Sequence, residues 1–290
     1  MRRALVIANP ASRGSGRRLT AAVRGLERAK IAADVASTEY PGHAARIALD
    51  RGGSYDAVFT LGGDGTAMEV VGALGGSGPP VGILPGGTGN LLARSLGIPL
   101  TVRAAVRALV AGREARIDLG QLGDGRVFGI GTGIGVDATM IQETPVSLKR
   151  RLGVLSYVIV GVRSLLRFDA FDVNGTVDGV PFEQRASAVL VANFGTMFRH
   201  LLTLGEGILQ DDGVLNVCFF SPRTHADAAR ISYKMMRRDF SPDSCMSYLS
   251  GREISITTDP VRVMQADGEM AGSTPFTVKV LPGAGRLLVP

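Results

Sequence analysis

The chain has 290 residues, of which 45% are hydrophobic and 20% charged, and its formal net charge is +6. This composition is typical of a globular protein and excludes a mainly disordered chain, and the positive charge favours anionic partners such as nucleotides, acidic lipid headgroups or nucleic acid. Two cysteines are too few for a disulfide framework, and no stretch approaches the ~20 apolar residues of a membrane span, so we expect a cytoplasmic protein with free thiols.

The first part of the chain alternates between strand and helix patterns. Apolar runs predict strands at 4–8, 33–38, 56–61 and 81–85, and helical spacing predicts helices at 17–30, 43–52, 66–74, 91–97 and 102–112. Repeated βα units of this size predict a parallel sheet with helices on both faces.

Strands dominate the chain beyond about residue 115. Residues 113–133 read as two strands joined at a Gly-Asp-Gly turn, and further strands are predicted at 171–180, 186–194, 213–221, 253–258, 261–269 and 275–281. Helices are predicted over Ser147–Phe168 and about Thr224–Arg238. The sequence therefore predicts an N-terminal α/β domain over 1–118 and a β-rich domain over 119–283.

Three glycine-rich loops follow predicted strands in the first domain: Asn9–Gly16, Gly62–Thr66 and Pro85–Asn90. Parallel strands end on the same side of a sheet, where ligands bind, and backbone N–H groups at a helix start favour phosphate. Each loop by itself fits ordinary turn chemistry, with Asp64 or Thr66 as a helix N-cap. Together they favour a nucleotide site, although no Walker A motif is present.

Asp267 and Glu269 flank a glycine directly after a predicted strand. An Asp-Gly pair favours a hairpin turn by itself. A carboxylate at this place is also suited to receive the proton of an acceptor hydroxyl in phosphoryl transfer. Spacing alone leaves both interpretations open.

In order along the chain, these motifs resemble the diacylglycerol kinase catalytic family, which includes bacterial lipid kinases and sphingosine kinases and is a distant relative of NAD kinases. The similarity runs nearly end to end. It rests on NPASRGSG, TEYPGHA, GGDGT, LPGGTGNLLARSLGIP, KRRLGVLSYV, DDGVLNV, ADGE and the terminal LLVP.

The resemblance implies an N-terminal nucleotide-binding domain and a C-terminal antiparallel β-sandwich that binds the lipid, with the active site in the cleft between them and a last strand, about 284–290, that returns to the first domain. It implies ATP and Mg²⁺ as cofactors. Asp64 would belong to the magnesium-linked network, Asp267 would be the general base and Glu269 would assist it. A second, structural Mg²⁺ would be bound by Asp212 and the Leu215 carbonyl. The ATP-binding residues would be Asn9, Ser12, Thr38, Gly62, Gly63, Asp64, Gly65, Thr66, Gly86, Thr88 and Asn90.

Two departures from the family pattern concern the metal and the acceptor. Leu91 stands where many bacterial members carry an aspartate, so the metal network would be built differently. The segment FGTMFRHLLTLGEGILQ lacks the usual glycine run and proline. The resemblance favours diacylglycerol as acceptor, and leaves another lipid alcohol, an NAD kinase activity or a non-catalytic sensor as alternatives.

Basic residues cluster in Leu148–Arg151 and Lys234–Arg238, with Arg163, Arg167 and Arg199 adding to them. Anionic headgroups favour such clusters by about 1 kcal/mol per base. We therefore expect peripheral docking on the inner face of the membrane through these patches, with solvated helix faces as the alternative and a homodimer left open. Low aromatic content and the lack of a nucleic-acid motif exclude DNA and RNA as expected partners.

Overall fold

The structure is a computed structural model, and it describes residues 1–12, 14–135, 169–197 and 202–290. It contains two compact units: unit 1 comprises Met1–Ile117 and Gly283–Pro290, and unit 2 comprises Asp118–Pro282. Outside the described residues lie the predicted helix over Ser147–Phe168, the basic run Leu148–Arg151, Arg163, Arg167 and Arg199.

Unit 1 is built on a parallel sheet of four strands in the order β2-β1-β3-β4. The strands are β1 (Arg3–Ala8), β2 (Ala32–Ser37), β3 (Ala57–Gly62) and β4 (Val81–Pro85). Near the C-terminus, Leu287 pairs in parallel with Val81 of β4 and so adds a fifth strand. Every residue of β3 is buried, as expected for a central strand of a parallel sheet.

The helices of unit 1 follow the strands in βα order. They are α1 (Ser15–Arg28), α2 (His43–Arg51), α3 (Asp64–Leu74), α4 (Leu91–Ser95) and α5 (Val102–Ala111). Helix α1 packs against α5, and α2 packs against α3. The predicted α/β domain with a parallel sheet is confirmed.

Unit 2 consists of short strands and one described helix. In chain order they are β5 (Arg113–Leu122), β6 (Val127–Phe128), β7 (Gly131–Ile134), β8 (Phe171–Val177), β9 (Val180–Ala186), β10 (Ala188–Ala192), β11 (Thr196–Met197), β12 (Leu202–Thr203), β13 (Leu215–Phe220), α6 (His225–Arg237), β14 (Met246–Gly251), β15 (Glu253–Asp259), β16 (Val263–Ala266), β17 (Glu269–Ser273) and β18 (Phe276–Val289). Strands β5 and β18 each cross a unit boundary.

Two antiparallel sheets form the sandwich of unit 2, with strand orders β18-β15-β8-β9 and β14-β13-β10-β7-β16-β17. One apolar core takes side chains from both sheets, for example Val173 and Ile254 from one and Val189 and Val217 from the other. A second cluster lies under α6 and contains Ile231 and both cysteine side chains, which are free thiols. The predicted β-sandwich is confirmed.

Two predicted single strands are hairpins in the structure. Residues 171–180 contain the turn between β8 and β9, and residues 261–269 contain the turn between β16 and β17. In both turns an aspartate adopts a positive φ before a glycine, +50° at Asp178 and +48° at Asp267. The Asp-Gly pair therefore bends the chain, although the alternation on both sides continues. Strand β14 was not predicted.

Candidate functional site

In unit 1, four loops follow the carboxyl ends of parallel strands and are joined by backbone hydrogen bonds. Asn9, after β1, donates its N–H to the Leu61 carbonyl at 2.9 Å. Thr38, after β2, is buried and donates to the Ala8 carbonyl at 2.9 Å. The structure thus brings together the strand ends that the sequence places in a nucleotide site.

The Asn9 side chain connects the first loop to the third. Its Nδ2 donates to Thr66 Oγ1 at 3.3 Å, and its Oδ1 accepts the Ala11 N–H at 2.9 Å. Ser12 donates its N–H and its hydroxyl to the Asn9 carbonyl, at 3.1 and 2.8 Å. Ser12 therefore holds the turn, and Thr66 lies at the start of α3 against the Asn9 amide.

The loops after β3 and β4 touch backbone to backbone. The Gly86 N–H donates to the Gly62 carbonyl at 2.8 Å. A Cβ on Gly86 would lie 2.9 Å from the Gly62 nitrogen, and one on Gly87 would lie 2.6 Å from the Gly63 Cα. Any side chain at Gly86 or Gly87 would separate the two loops, so this contact requires glycine.

Asn90 closes the fourth loop. Its Oδ1 accepts the Gly87 N–H at 2.9 Å and its Nδ2 donates to the Gly87 carbonyl at 2.8 Å. Asn90 has a φ of +48°, which asparagine tolerates better than most residues. Arg18 of α1 donates to the Gly86 carbonyl at 2.7 Å. Thr88 lies exposed at the loop tip between these contacts, and Gly65 lies in the first turn of α3.

Asp64 is largely buried, and its carboxylate turns to the fourth loop. Its Oδ1 accepts the Leu92 N–H at 3.0 Å, so Asp64 caps the first turn of α4 although it belongs to the first turn of α3. Burial raises the pKa of Asp64, and backbone N–H donors from Leu92 and Leu91 oppose that rise. Asp64 is therefore a cap, but for α4 rather than for its own helix.

In unit 2, Asp267 is held by a ring of backbone donors. Its carboxylate accepts the N–H groups of Gly129, Ile130 and Gly131 at 2.7, 2.9 and 3.1 Å, and its own N–H donates to the Gly131 carbonyl at 3.0 Å. Glu269 begins β17 two residues later and is exposed. The Asp267 carboxylate is thus rigidly oriented, whereas Glu269 has room to move.

Two buried polar residues beside this turn were not predicted. Asn193 is fully buried, and its Nδ2 donates to the carbonyls of Asp118 and Gly129, each at 2.7 Å. Its Oδ1 accepts no hydrogen bond from the part of the chain that the structure describes. Asp118 is 2% exposed and accepts the Gly213 N–H at 2.6 Å. The signal available for Asn193 was a polar amide inside the apolar strand run 186–194, whereas Asp118 lies among the charged and polar residues of 113–122 and had no such signal.

The DDG turn holds the predicted structural metal ligands. Asp212 is exposed, and its Oδ1 accepts the Val214 N–H at 3.1 Å. Leu215 is fully buried at the start of β13. Gln210 accepts the Asp118 N–H at 2.6 Å, so this turn is connected to the buried Asp118.

Two family models cover almost the whole chain. Residues 3–122 match the diacylglycerol kinase catalytic domain, and residues 131–289 match the YegS C-terminal NAD kinase beta sandwich-like domain. A putative lipid kinase of Staphylococcus haemolyticus is 30% identical over 236 residues, which cover 80% of this chain and 76% of that protein. The chain belongs to the diacylglycerol kinase catalytic family.

Members of other species are similar at lower identity. A putative lipid kinase of Streptococcus pneumoniae is 27% identical over 78% of this chain and 76% of its own length. An uncharacterised protein of Synechocystis is 28% identical over 80% of this chain, which spans only 54% of that longer protein. A crystal structure of a putative diacylglycerol kinase from Bacillus anthracis has the same fold, with a TM-score of 0.84, 23% identity and coverage of 99% of this chain and 97% of its own.

Membership of the diacylglycerol kinase catalytic family makes this chain a kinase, a phosphotransferase that uses ATP. Magnesium in such enzymes is held by one or two carboxylates together with substrate phosphates and water. Among the described residues no group of three or more His, Cys, Asp or Glu side chains could hold a metal ion. Within the described residues only Oδ1 of the exposed Asp212 accepts a hydrogen bond, so Oδ2 offers one position to a hydrated Mg²⁺. The Asp64 carboxylate already accepts the Leu92 N–H, which suits it to contact through water.

The predicted basic patch on α6 is smaller than expected. Lys234 is 7% exposed and donates to the Ser241 carbonyl at 2.8 Å and to Asp243 at 3.4 Å. Its ammonium is therefore used inside unit 2, and of the three basic residues in the run Lys234–Arg238 only Arg237 and Arg238 remain exposed. In the ranges that the structure covers, no helix is long and apolar enough to cross a membrane.

Proposed function

We propose that this kinase transfers the γ-phosphoryl group of ATP to the hydroxyl of a lipid alcohol, with diacylglycerol as the favoured acceptor and phosphatidate as the product. The observation that carries the proposal is the backbone contact between the loops of Gly62 and Gly86, inside a chain of this family. A stack of two glycine loops beside two helix starts offers N–H donors and a positive dipole end to phosphate oxygens.

In this proposal the nucleotide is bound by unit 1. Asn9 and Asn90 keep their loops in shape, since both amides are bonded to neighbouring loop atoms. Gly63 is the N-cap of α3, and Gly65 and Thr66 lie in its first turn, where backbone N–H groups have no helical partner. The remaining proposed nucleotide residues are Ser12, Thr38, Gly62, Gly86 and Thr88.

Mg²⁺, when bound with ATP, would neutralise charge on the β- and γ-phosphates. Asp64 would orient the loop of Asn90 and Leu92 around those phosphates through its capping bond. Asp212, with the Leu215 carbonyl, would hold a structural Mg²⁺ at the DDG turn. Leu91 replaces the aspartate of many relatives and is 8% exposed, so it adds no carboxylate here.

Asp267 would act as the general base. The acceptor oxygen forms its bond to the γ-phosphorus while the bond from that phosphorus to the bridging oxygen of ADP breaks. The hydroxyl proton passes to the Asp267 carboxylate, and ADP leaves. Three backbone donors fix the direction of this carboxylate, which favours catalysis by positioning. The exposed Glu269 would assist by orienting the acceptor.

We test the base with Asp267→Asn, using transfer of labelled phosphate from ATP to diacylglycerol in mixed micelles. Loss of the base should lower kcat at least ~100-fold. Asp178→Asn is the matched control, because Asp178 also has a positive φ, precedes a glycine and accepts two backbone N–H groups, each at 2.8 Å. Full activity of Asp267→Asn would remove Asp267 from the mechanism.

The same assay identifies which acceptor is phosphorylated. Ceramide, sphingoid bases, polyprenols and glycolipids replace diacylglycerol one at a time, and NAD is included because the C-terminal match is to an NAD kinase beta sandwich-like domain. Phosphorylation of NAD with no labelled lipid would make the chain an NAD kinase. Tight ATP binding with no transfer to any acceptor would favour a sensor.

We also propose peripheral docking on the inner face of the cytoplasmic membrane, where the acceptor lipid resides. On α6, Tyr233 and Met236 are 63% and 59% exposed, next to the exposed Arg237 and Arg238. Apolar and basic side chains on one helix suit a headgroup surface. Whether the chain forms a homodimer stays a prediction.

A further inference from the structure

A groove of about 740 Å³ lies between α1 and α5 of unit 1. Its floor includes Gly25 and Val106, where a Cβ on Gly25 would lie 3.0 Å from Val106 Cγ1. The absent side chain lets the two helices approach. Five arginines line the groove: Arg17, Arg24 and Arg28 of α1, and Arg103 and Arg107 of α5.

No partner neutralises these arginines within the described part of the chain. None of the five forms a hydrogen bond or an ion pair there, and no aspartate or glutamate lines the groove. Arg18 is different, since it is bonded to the Gly86 carbonyl. Some surface arginines elsewhere are paired, as Arg46 is with Asp50 on α2 and Arg185 with Asp172.

This concentration of charge is unfavourable unless an anion binds. Like charges on neighbouring helix positions destabilise a helix, and nearby guanidinium groups repel one another. Guanidinium groups bind phosphate with paired hydrogen bonds. Arg17 and Arg28 are eleven residues apart, or about 16 Å along the helix axis, so the row of charges is longer than one phosphate group.

We propose that this groove is a binding site for an anion that carries several phosphate groups. It is separate from the nucleotide loops of the proposed function, because its residues lie along the bodies of α1 and α5. The arginines hold the phosphates, and the floor formed by Ala21, Gly25, Val106 and Val110 accepts an apolar part of the ligand. Because the groove is concave, a ligand that enters it fits better than a flat surface that lies across it.

The test is calorimetric titration of the full chain with inorganic tripolyphosphate, at low and at raised salt. The groove variant is Arg24→Gln with Arg107→Gln, since glutamine keeps helix propensity and removes charge. The matched control is Arg46→Gln with Arg185→Gln, which removes the same charge from exposed ion pairs. Circular dichroism confirms that each variant is folded. We expect the groove variant to raise Kd at least tenfold and the control to change it less than twofold.

A second arm identifies the source of the phosphate. Sedimentation with phosphatidylcholine vesicles, with and without cardiolipin, whose headgroup carries more than one phosphate group, measures headgroup binding. Loss of vesicle binding in the groove variant, with competition by tripolyphosphate, assigns a lipid headgroup. Unchanged vesicle binding with lost tripolyphosphate binding assigns a free polyphosphate. Equal tripolyphosphate binding by wild type, groove variant and control would overturn the site, as would no binding by the wild type.

Discussion

Replacing Asp64 distinguishes its capping role from its charge. In wild type the Leu92 N–H donates to Asp64 Oδ1 at 3.0 Å, and the Leu92 side chain is 1% exposed. Asp64→Ala removes this acceptor. A buried donor without a partner costs about 1–3 kcal/mol, and loss of an N-cap costs about 1 kcal/mol. We expect the free energy of unfolding to fall by about 2 kcal/mol.

Asp64→Asn keeps an oxygen acceptor and removes the charge. We expect it to remain within about 1 kcal/mol of wild type, because the capping bond survives. Burial raises the pKa of Asp64, so the folded state binds its proton more tightly than the unfolded state. The contribution of Asp64 to the free energy of unfolding is therefore greatest at low pH and falls as the pH rises through the raised pKa. Asp64→Asn should lose this pH dependence.

Urea unfolding followed by circular dichroism gives the stabilities, and labelled ATP with diacylglycerol gives the rates. Both variants should lower kcat at least ~100-fold if the Asp64 charge acts on the phosphates through Mg²⁺, in addition to the capping bond. Asp50→Ala, in an exposed ion pair on α2, is the control and should change stability by less than about 0.5 kcal/mol. An Asp64→Ala protein as stable as wild type would refute the cap, and full activity of Asp64→Asn would refute the role of the charge.

Two further predictions concern the loop contact and an ionic network. Gly87→Ala places a Cβ 2.6 Å from the Gly63 Cα, so it should lower the free energy of unfolding by about 1–3 kcal/mol and weaken ATP binding, as measured by urea titration and calorimetry. Gly53→Ala, whose added Cβ would have no atom within 4 Å, is the control and should be neutral or slightly stabilising. The Arg230 guanidinium lowers the pKa of Asp243 to about 2, so stability from this group is complete above about pH 4 and is lost as the pH falls towards 2. Asp243→Asn removes this titrating group, so in acid unfolding the free energy of unfolding of the variant should fall less steeply below about pH 4 than that of wild type. An equally steep fall in the variant would contradict the assignment.

Local chemistry made much of the fold predictable. The buried strand runs, the helical spacing and the glycine-rich loops depend on neighbours a few residues apart, and they gave the parallel sheet of unit 1 and most strands of unit 2. The hairpin missed at Asp178 had a local signal in its Asp-Gly pair, where the alternation on both sides outweighed the turn signal. At Asp267 the same pair left a hairpin turn as one of two interpretations, and the structure has that turn.

The sequence by itself determined the family, the two kinds of fold and the positions of the glycine loops, because turn chemistry and hydrophobic periodicity are written in short stretches. Only the tertiary structure decided what individual side chains do. Asp64 caps a helix 28 positions away, and Asn193 reaches Asp118 across 75. The arginines of α1 and α5 form one groove because those helices pack together. Such contacts arise from burial and packing between distant segments, which no local pattern specifies.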